Sequence, residues 1–401
     1  MQKRFFLNPL FFFIFINFFF LTCSRNQISP LAREQIFTFQ IGRLEDQIAI
    51  HNVKENHGTL RTNFTMRDGL FYISDGNGEK IVRYNSYGDP LFMIYNGETN
   101  PTPMTLITLE KMPKDEIITR WAFTHPLQSP GKIAVDSRKH IYVEDKLPNN
   151  QQIIDNENRT LLDNIILHFN ENGEYIKYLG REGINGSPFP KIEGIYASIE
   201  NELVIICRLV TGWNIYWFDS DGIALYLIKI NDNDIPSFEN RQVFSVIDTI
   251  IASPDERKLY IKVNYYQDTF DELTNIRSGN DPHSSVIWVM NIENGTYHKS
   301  IELPLYEYVI SENNQQTTIK MFYSLLGVIQ NERIFLQFPV ENGYTILLLN
   351  AQTKTQTQVF IKVEDEESQY NIFNLSNEGI LSALIVSNWD VKLVWWRTDT
   401  L

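Results

Sequence analysis

Seven histidines, four aspartates at the ends of apolar runs, two cysteines and an Asp-Gly-Asn-Gly-Glu segment are the residues whose types and spacing could do chemistry. Asp75-Gly76-Asn77-Gly78-Glu79 begins like a calcium loop, in which carboxylate and amide oxygens surround a hard cation. The twelve-residue spacing and flanking helices are missing, so a tight hairpin is the simpler reading. Asp136, Asp145, Asp219 and Asp255 end or follow strand-like runs, where a carboxylate holds a turn by accepting backbone N–H bonds. Acid catalysis would need two such groups across one pocket, which spacing does not supply. His51, His57, His125, His140, His168, His283 and His298 form no His-x-His or His-x-x-x-His pair, so a metal site would have to be assembled from distant strands. There is no Gly-x-Ser-x-Gly elbow, since Gly186-Ser187-Pro188 lies in a Gly/Pro-rich loop. The expectation is no catalytic residue, no metal ligand and no cofactor. Cys207, within Leu203-Val204-Ile205-Ile206-Cys207, reads as a small buried hydrophobe. Cys23 differs: it follows an apolar run and precedes polar Ser24-Arg25-Asn26-Gln27, a position suited to acylation. Two or three acyl chains would anchor the chain stably, whereas one would not.

The elements that position these residues fall into three stretches. Residues 1–22 read as an export signal, with Lys3 and Arg4 before an apolar run from Leu7 to Leu21. Residues 23–34 read as a polar tether and 35–401 as the folded domain. Without Lys3 and Arg4 the chain keeps 33 basic against 49 acidic residues, a surface ill-suited to nucleic acid or anionic lipid. With Cys23 acylated no internal disulfide can form, so an exported domain must rely on a large regular core.

From residue 60 onward, apolar strands of five to eight residues alternate with Asp, Asn and Gly turns, with almost no convincing amphipathic helix. Strand, turn, strand, strand, turn, strand recurs over 60–95, 131–180, 192–230, from 243 to a final turn at Glu293-Asn294-Gly295, and over roughly 318–362, and 370–398 supplies three strands more. This internal repeat predicts an all-β propeller of six blades, each of about four antiparallel strands. Ile36–Ile41 is expected to close the ring, because closure removes the exposed sheet edges. Seven blades are the alternative if 103–128 forms a blade of its own. The inserts at 146–162, 265–284 and 305–316 should project from one rim, where propellers commonly recognise partners.

Phe20-Leu21-Thr22-Cys23 resembles the lipobox of bacterial lipoproteins, in a relaxed form like that of spirochaetal ones. Gly131-Lys132-Ile133-Ala134-Val135-Asp136, Ile141-Tyr142-Val143-Glu144-Asp145, Ile166-Leu167-His168-Phe169 and Gly173-Glu174-Tyr175 resemble NHL-type blades. Together the chain resembles envelope lipoproteins carrying an NHL-like or TolB-like six-bladed propeller. The resemblance implies attachment to the cell membrane or outer membrane through lipid at Cys23, facing the periplasm or the exterior. The functional expectation is a binding or scaffold module, more a non-enzyme than an enzyme, with an envelope protein or glycan as partner and no nucleic acid. The alternative is a propeller hydrolase or lyase with its site at the central channel.

Overall fold

Short apolar runs punctuated by Asx-Gly turns fold here into antiparallel sheets, and a computed structural model describes them over residues 30–50, 60–108, 119–156, 159–236, 243–271, 273–312 and 315–401. The export segment, Cys23, His51 and His57 lie outside the described residues. Blade I contains Asn63–Arg67, Leu70–Asp75, Lys80–Tyr84 and Pro90–Tyr95, and blade II contains Ile133–Val135, Ile141–Lys146, Asn164–Phe169 and Tyr175–Gly180. Blade III contains Ile192–Ala197, Leu203–Arg208, Gly212–Phe218 and Ala224–Asn231. Blade IV is the longest, with Val243–Ala252, Lys258–Phe270, Arg277–Asn291 and Thr296–Leu303. Blade V contains Ser324–Ile329, Arg333–Val340, Gly343–Asn350 and Thr355–Lys362.

The expected count of six is corrected here. Five blades are built from consecutive strands, and what shuts the ring is a composite sheet drawn from both ends of the chain. Tyr370–Leu375, Leu381–Val386 and Asp390–Trp396 take Arg33–Ile41 as an antiparallel neighbour, with Arg33 opposite Trp396 and Gln40 opposite Asp390. Gln47–Ile48 then adds in parallel, so this sheet is mixed rather than antiparallel. The physical reason is that three strands leave an open edge, and the N-terminal strand covers it. The seven-blade alternative also falls. Ile107–Thr108 and Trp121–Thr124 extend blade I as parallel strands and form no sheet of their own.

One turn device recurs between the third and fourth strands. In blades I to III the side chains of Asn85, Asn170 and Asp219 each accept two backbone N–H bonds, and a glycine follows three residues later. Gly88, Gly173 and Gly222 have φ of 85°, 85° and 80°, a conformation that costs a side-chain-bearing residue more than glycine. Each turn is followed by a register shift in the next ladder.

Apolar clusters fill the space between every pair of neighbouring sheets around the ring. Phe39, Val391 and Leu393 pack on Phe64, Phe71 and Tyr84 where the composite sheet meets blade I. Trp213 and Trp217 are buried between blades III and IV, and Trp396 between blade V and the composite sheet. Alternation puts adjacent Trp395 on the opposite side, where its Nε1 donates to Glu34 at 2.8 Å. Trp389 sits at a turn and is exposed.

The innermost strands all run the same way, because the central cavity is lined by their C-terminal ends, from Met66–Arg67 to Leu375–Glu378. Tight turns therefore gather on that face. The Ile153–Asp155/Thr160–Leu162 hairpin, the extended tip of Lys258–Phe270/Arg277–Asn291 and the Tyr306–Glu312/Gln315–Met321 hairpin all leave from the opposite face.

Candidate functional site

The carboxylates singled out by sequence are engaged locally. Asp75 is fully buried and accepts N–H bonds from Ala49 at 2.7 Å and Gly78 at 3.0 Å. Lys80 lies 3.9 Å from it; burial outweighs that partner and lowers the ammonium to about 8. Asp145 holds the equivalent place in blade II and accepts N–H bonds from Gln128 at 3.0 Å and Ser129 at 2.7 Å. Both acids thus tie the incoming connection to the end of a second strand. Burial raises the Asp145 carboxyl to about 6 against these stabilising bonds. Asp136 pairs with Arg138 at 2.7 Å, Asp219 holds its turn, and Asp255 accepts from Ser253 at 2.8 Å.

Folding brings together two histidines that spacing kept apart. His140 Nδ1 and His168 Nε2 lie 3.0 Å apart, and Tyr142 stacks on His168 with ring centres 4.3 Å apart. The signal was present in register, since Tyr142 and His168 face each other across the ladder. Burial, and after it the neighbouring His140, push His168 down to about 3, so the His168 ring is neutral at ordinary pH. Among the described residues no group of three or more His, Cys, Asp or Glu is placed to hold a metal.

The central cavity measures about 190 Å³ and is lined mostly by apolar residues of the innermost strands. Its charged lining groups among the described residues are Arg67 and Glu378. Arg67 Nη1 donates to Val135 O at 3.4 Å, while its Nε lacks a partner. No pair of carboxyls and no His–acid pair is placed there among the described lining residues.

A larger cleft of about 690 Å³ opens on the flank of blade II, a place sequence reasoning missed. The segment 125–128, arriving from blade I, forms one wall; Tyr175 and Tyr178 of the fourth strand form another; the loop 185–188 forms a third. That loop lies tight against its strand because Arg181 N donates to Ser187 O at 2.8 Å and Asn185 N to Tyr178 O at 3.1 Å. Gly180 makes this approach feasible, since a Cβ there would lie 2.2 Å from Gly186 O. The His125 ring stands 4.8 Å from Tyr175 at 30° and meets Phe169 edge-on at 5.4 Å. Burial lowers the His125 pKa, which keeps the ring neutral. Tyr175 remains 45% exposed, so part of its ring faces solvent. The only sequence hint was the Gly/Pro-rich loop around Ser187.

No helix among the described residues is long and apolar enough to cross a membrane. No family model matches the chain, and no curated protein matches it either. The expected kinship with NHL-like or TolB-like lipoproteins is therefore corrected: the phrases that suggested it are turn and strand-end devices that recur within this ring, and no match supports the lipoprotein identity. Solved structures similar to the chain include an acylaminoacyl peptidase from Pyrococcus horikoshii, at 13% identity and TM-score 0.32, covering 63% of this chain and 35% of that one. The chain thus spans about a third of that peptidase. Others are the Dos1 propeller, at 8% identity and TM-score 0.36 over 92% and 95% of the two chains, and a gluconolactonase from Xanthomonas campestris, at 10% and 0.39 over 92% and 97%. Likeness at this level carries no assignment of activity. The leaning toward a non-enzyme is withdrawn: it rested on the ring as a rigid platform, and a rigid platform holds a catalytic site as readily as a binding one. The chain is an all-β propeller without a matched family.

Proposed function

We propose that the protein is an extracytoplasmic propeller that holds a ligand in the flank cleft of blade II and is tethered to a membrane by acylation of Cys23. The observation that carries the cleft is its size, about 690 Å³ against about 190 Å³ in the central cavity, combined with a partly exposed aromatic wall. Ser187→Trp would fill the cleft from its loop wall. In a ligand-observed NMR screen of small molecules, binders should be lost with that variant; retention of every binder by the filled, folded protein would refute the cleft. The tether is supported by the apolar run ending at Cys23 and the polar residues after it. Labelling with a palmitate analogue should disappear in Cys23→Ala, and unchanged labelling would overturn that part.

A second reading, a hydrolase or lyase acting in the same cleft, is favoured by Asp145. A carboxyl raised to about 6 can carry a proton close to neutrality and give it to a leaving group. Its bonds to Gln128 and Ser129 support the structural role instead. Turnover of a cleft ligand that vanishes in Asp145→Asn, with binding retained, would select the catalytic reading.

A further inference from the structure

The cleft's polar groups divide into those already engaged and those left free. Lys146 is ion-paired with Asp163, and both Asp145 oxygens accept backbone N–H bonds. Among the described residues, the charged side chains lining the cleft are thereby satisfied within the protein. By contrast, the side chains of Gln128, Gln151, Asn185, Ser187 and Tyr178 line the same space and hydrogen-bond to no other described residue. These are two-way groups, able to donate and accept, and the amides and the serine hydroxyl carry no charge. Beside them stands Tyr175, backed by His125 and Phe169 and 45% exposed.

A flat apolar ring beside uncharged amides and hydroxyls matches a ligand with one apolar face and a rim of hydroxyls. An anionic ligand would meet no free cation there among the described residues, and a chain of net charge −14. A purely apolar ligand would strand the amides without partners. We propose, resting on the reading of the cleft as the binding site, that it takes a short neutral oligosaccharide, with one pyranose ring laid on Tyr175 and its hydroxyls bonded by Gln128, Gln151, Asn185 and Ser187.

The test is titration of the whole protein with neutral oligosaccharides, glucose-based and N-acetylglucosamine-based trimers, followed by calorimetry and ligand-observed NMR. Tyr175→Ala should weaken binding on the order of tenfold, while Tyr175→Phe, which keeps the stacking face, should bind like the parent. Asn185→Ala should weaken it by a smaller factor. Binding unaffected by Tyr175→Ala, or absent for both trimers, overturns the proposal. If neither trimer binds while the small-molecule screen returns ligands displaced by Ser187→Trp, the sugar class fails and the cleft stands. If the screen returns none, both fail.

Discussion

Asp145→Asn tests the burial of the acid that joins blade I's trailing segment to blade II. The side chain is 3% exposed, and its carboxyl is raised from 3.8 to about 6 in the folded protein, burial being the largest cause. A folded-state value above the unfolded one means that the folded protein holds the proton more tightly. Stability from this group is complete below pH 3.8 and is lost as pH rises through about 6. A difference of roughly two pH units corresponds to about 3 kcal/mol, at ~1.36 kcal/mol per unit. Asn keeps the shape and one acceptor oxygen but cannot titrate. Losing the second acceptor adds an offset of about 1–3 kcal/mol that does not depend on pH. Urea unfolding should be followed from pH 3.5 to 7.5 on both proteins, because their difference cancels every other titrating group. The stability of the parent relative to Asp145→Asn should fall by about 3 kcal/mol across that window. Parallel profiles would show that the carboxyl is not desolvated and would refute the argument.

Glu202 is buried where blades III and IV meet, accepting from Trp217 Nε1 at 2.6 Å and from Arg257 Nη2 at 2.5 Å. Glu202→Ala leaves the indole N–H of a fully buried tryptophan without its acceptor and should cost about 3 kcal/mol, with Glu202→Gln recovering part; a urea midpoint unchanged in the Ala variant would contradict this. Cys207 is fully buried, and burial pushes its thiol well above the usual range, so in a Cys23→Ser background the folded protein should resist a thiol reagent and react on unfolding. Native-state reaction at the rate of a free thiol would rule out that packing.

Local structure was legible because it is written in neighbouring residues. Asp68-Gly69 joins Asn63–Arg67 to Leu70–Asp75 with φ of 52° and 72°, as an Asp-Gly pair between apolar strands predicts. The repeated strand-and-turn pattern likewise pointed to an all-β propeller. The number of self-contained blades was not legible, because 370–398 reads the same whether its fourth strand comes from nearby or from the other end of the chain. Nor was the fate of 103–128, whose Trp121–Thr124 strand looks like any other until it pairs in parallel with Pro90–Tyr95. The candidate site was less legible still: His125, Asp145, Tyr175 and Ser187 sit on separate elements, and their convergence depends on the path between blades.

Alone, the amino-acid order determined the strand-forming character of the domain, its turns, its acidic surface and the chemical opportunity at Cys23, since each depends on composition or on residues a few positions apart. Tertiary structure decided which sheet closes the ring, which histidines meet, and where the cleft opens. Those outcomes depend on pairings between distant segments, such as Arg33–Ile41 with Asp390–Trp396, and on how tightly backbones such as Gly180 and Gly186 approach. Such pairings are selected by burying the edges and apolar faces of the whole ring at once, a condition no local window contains.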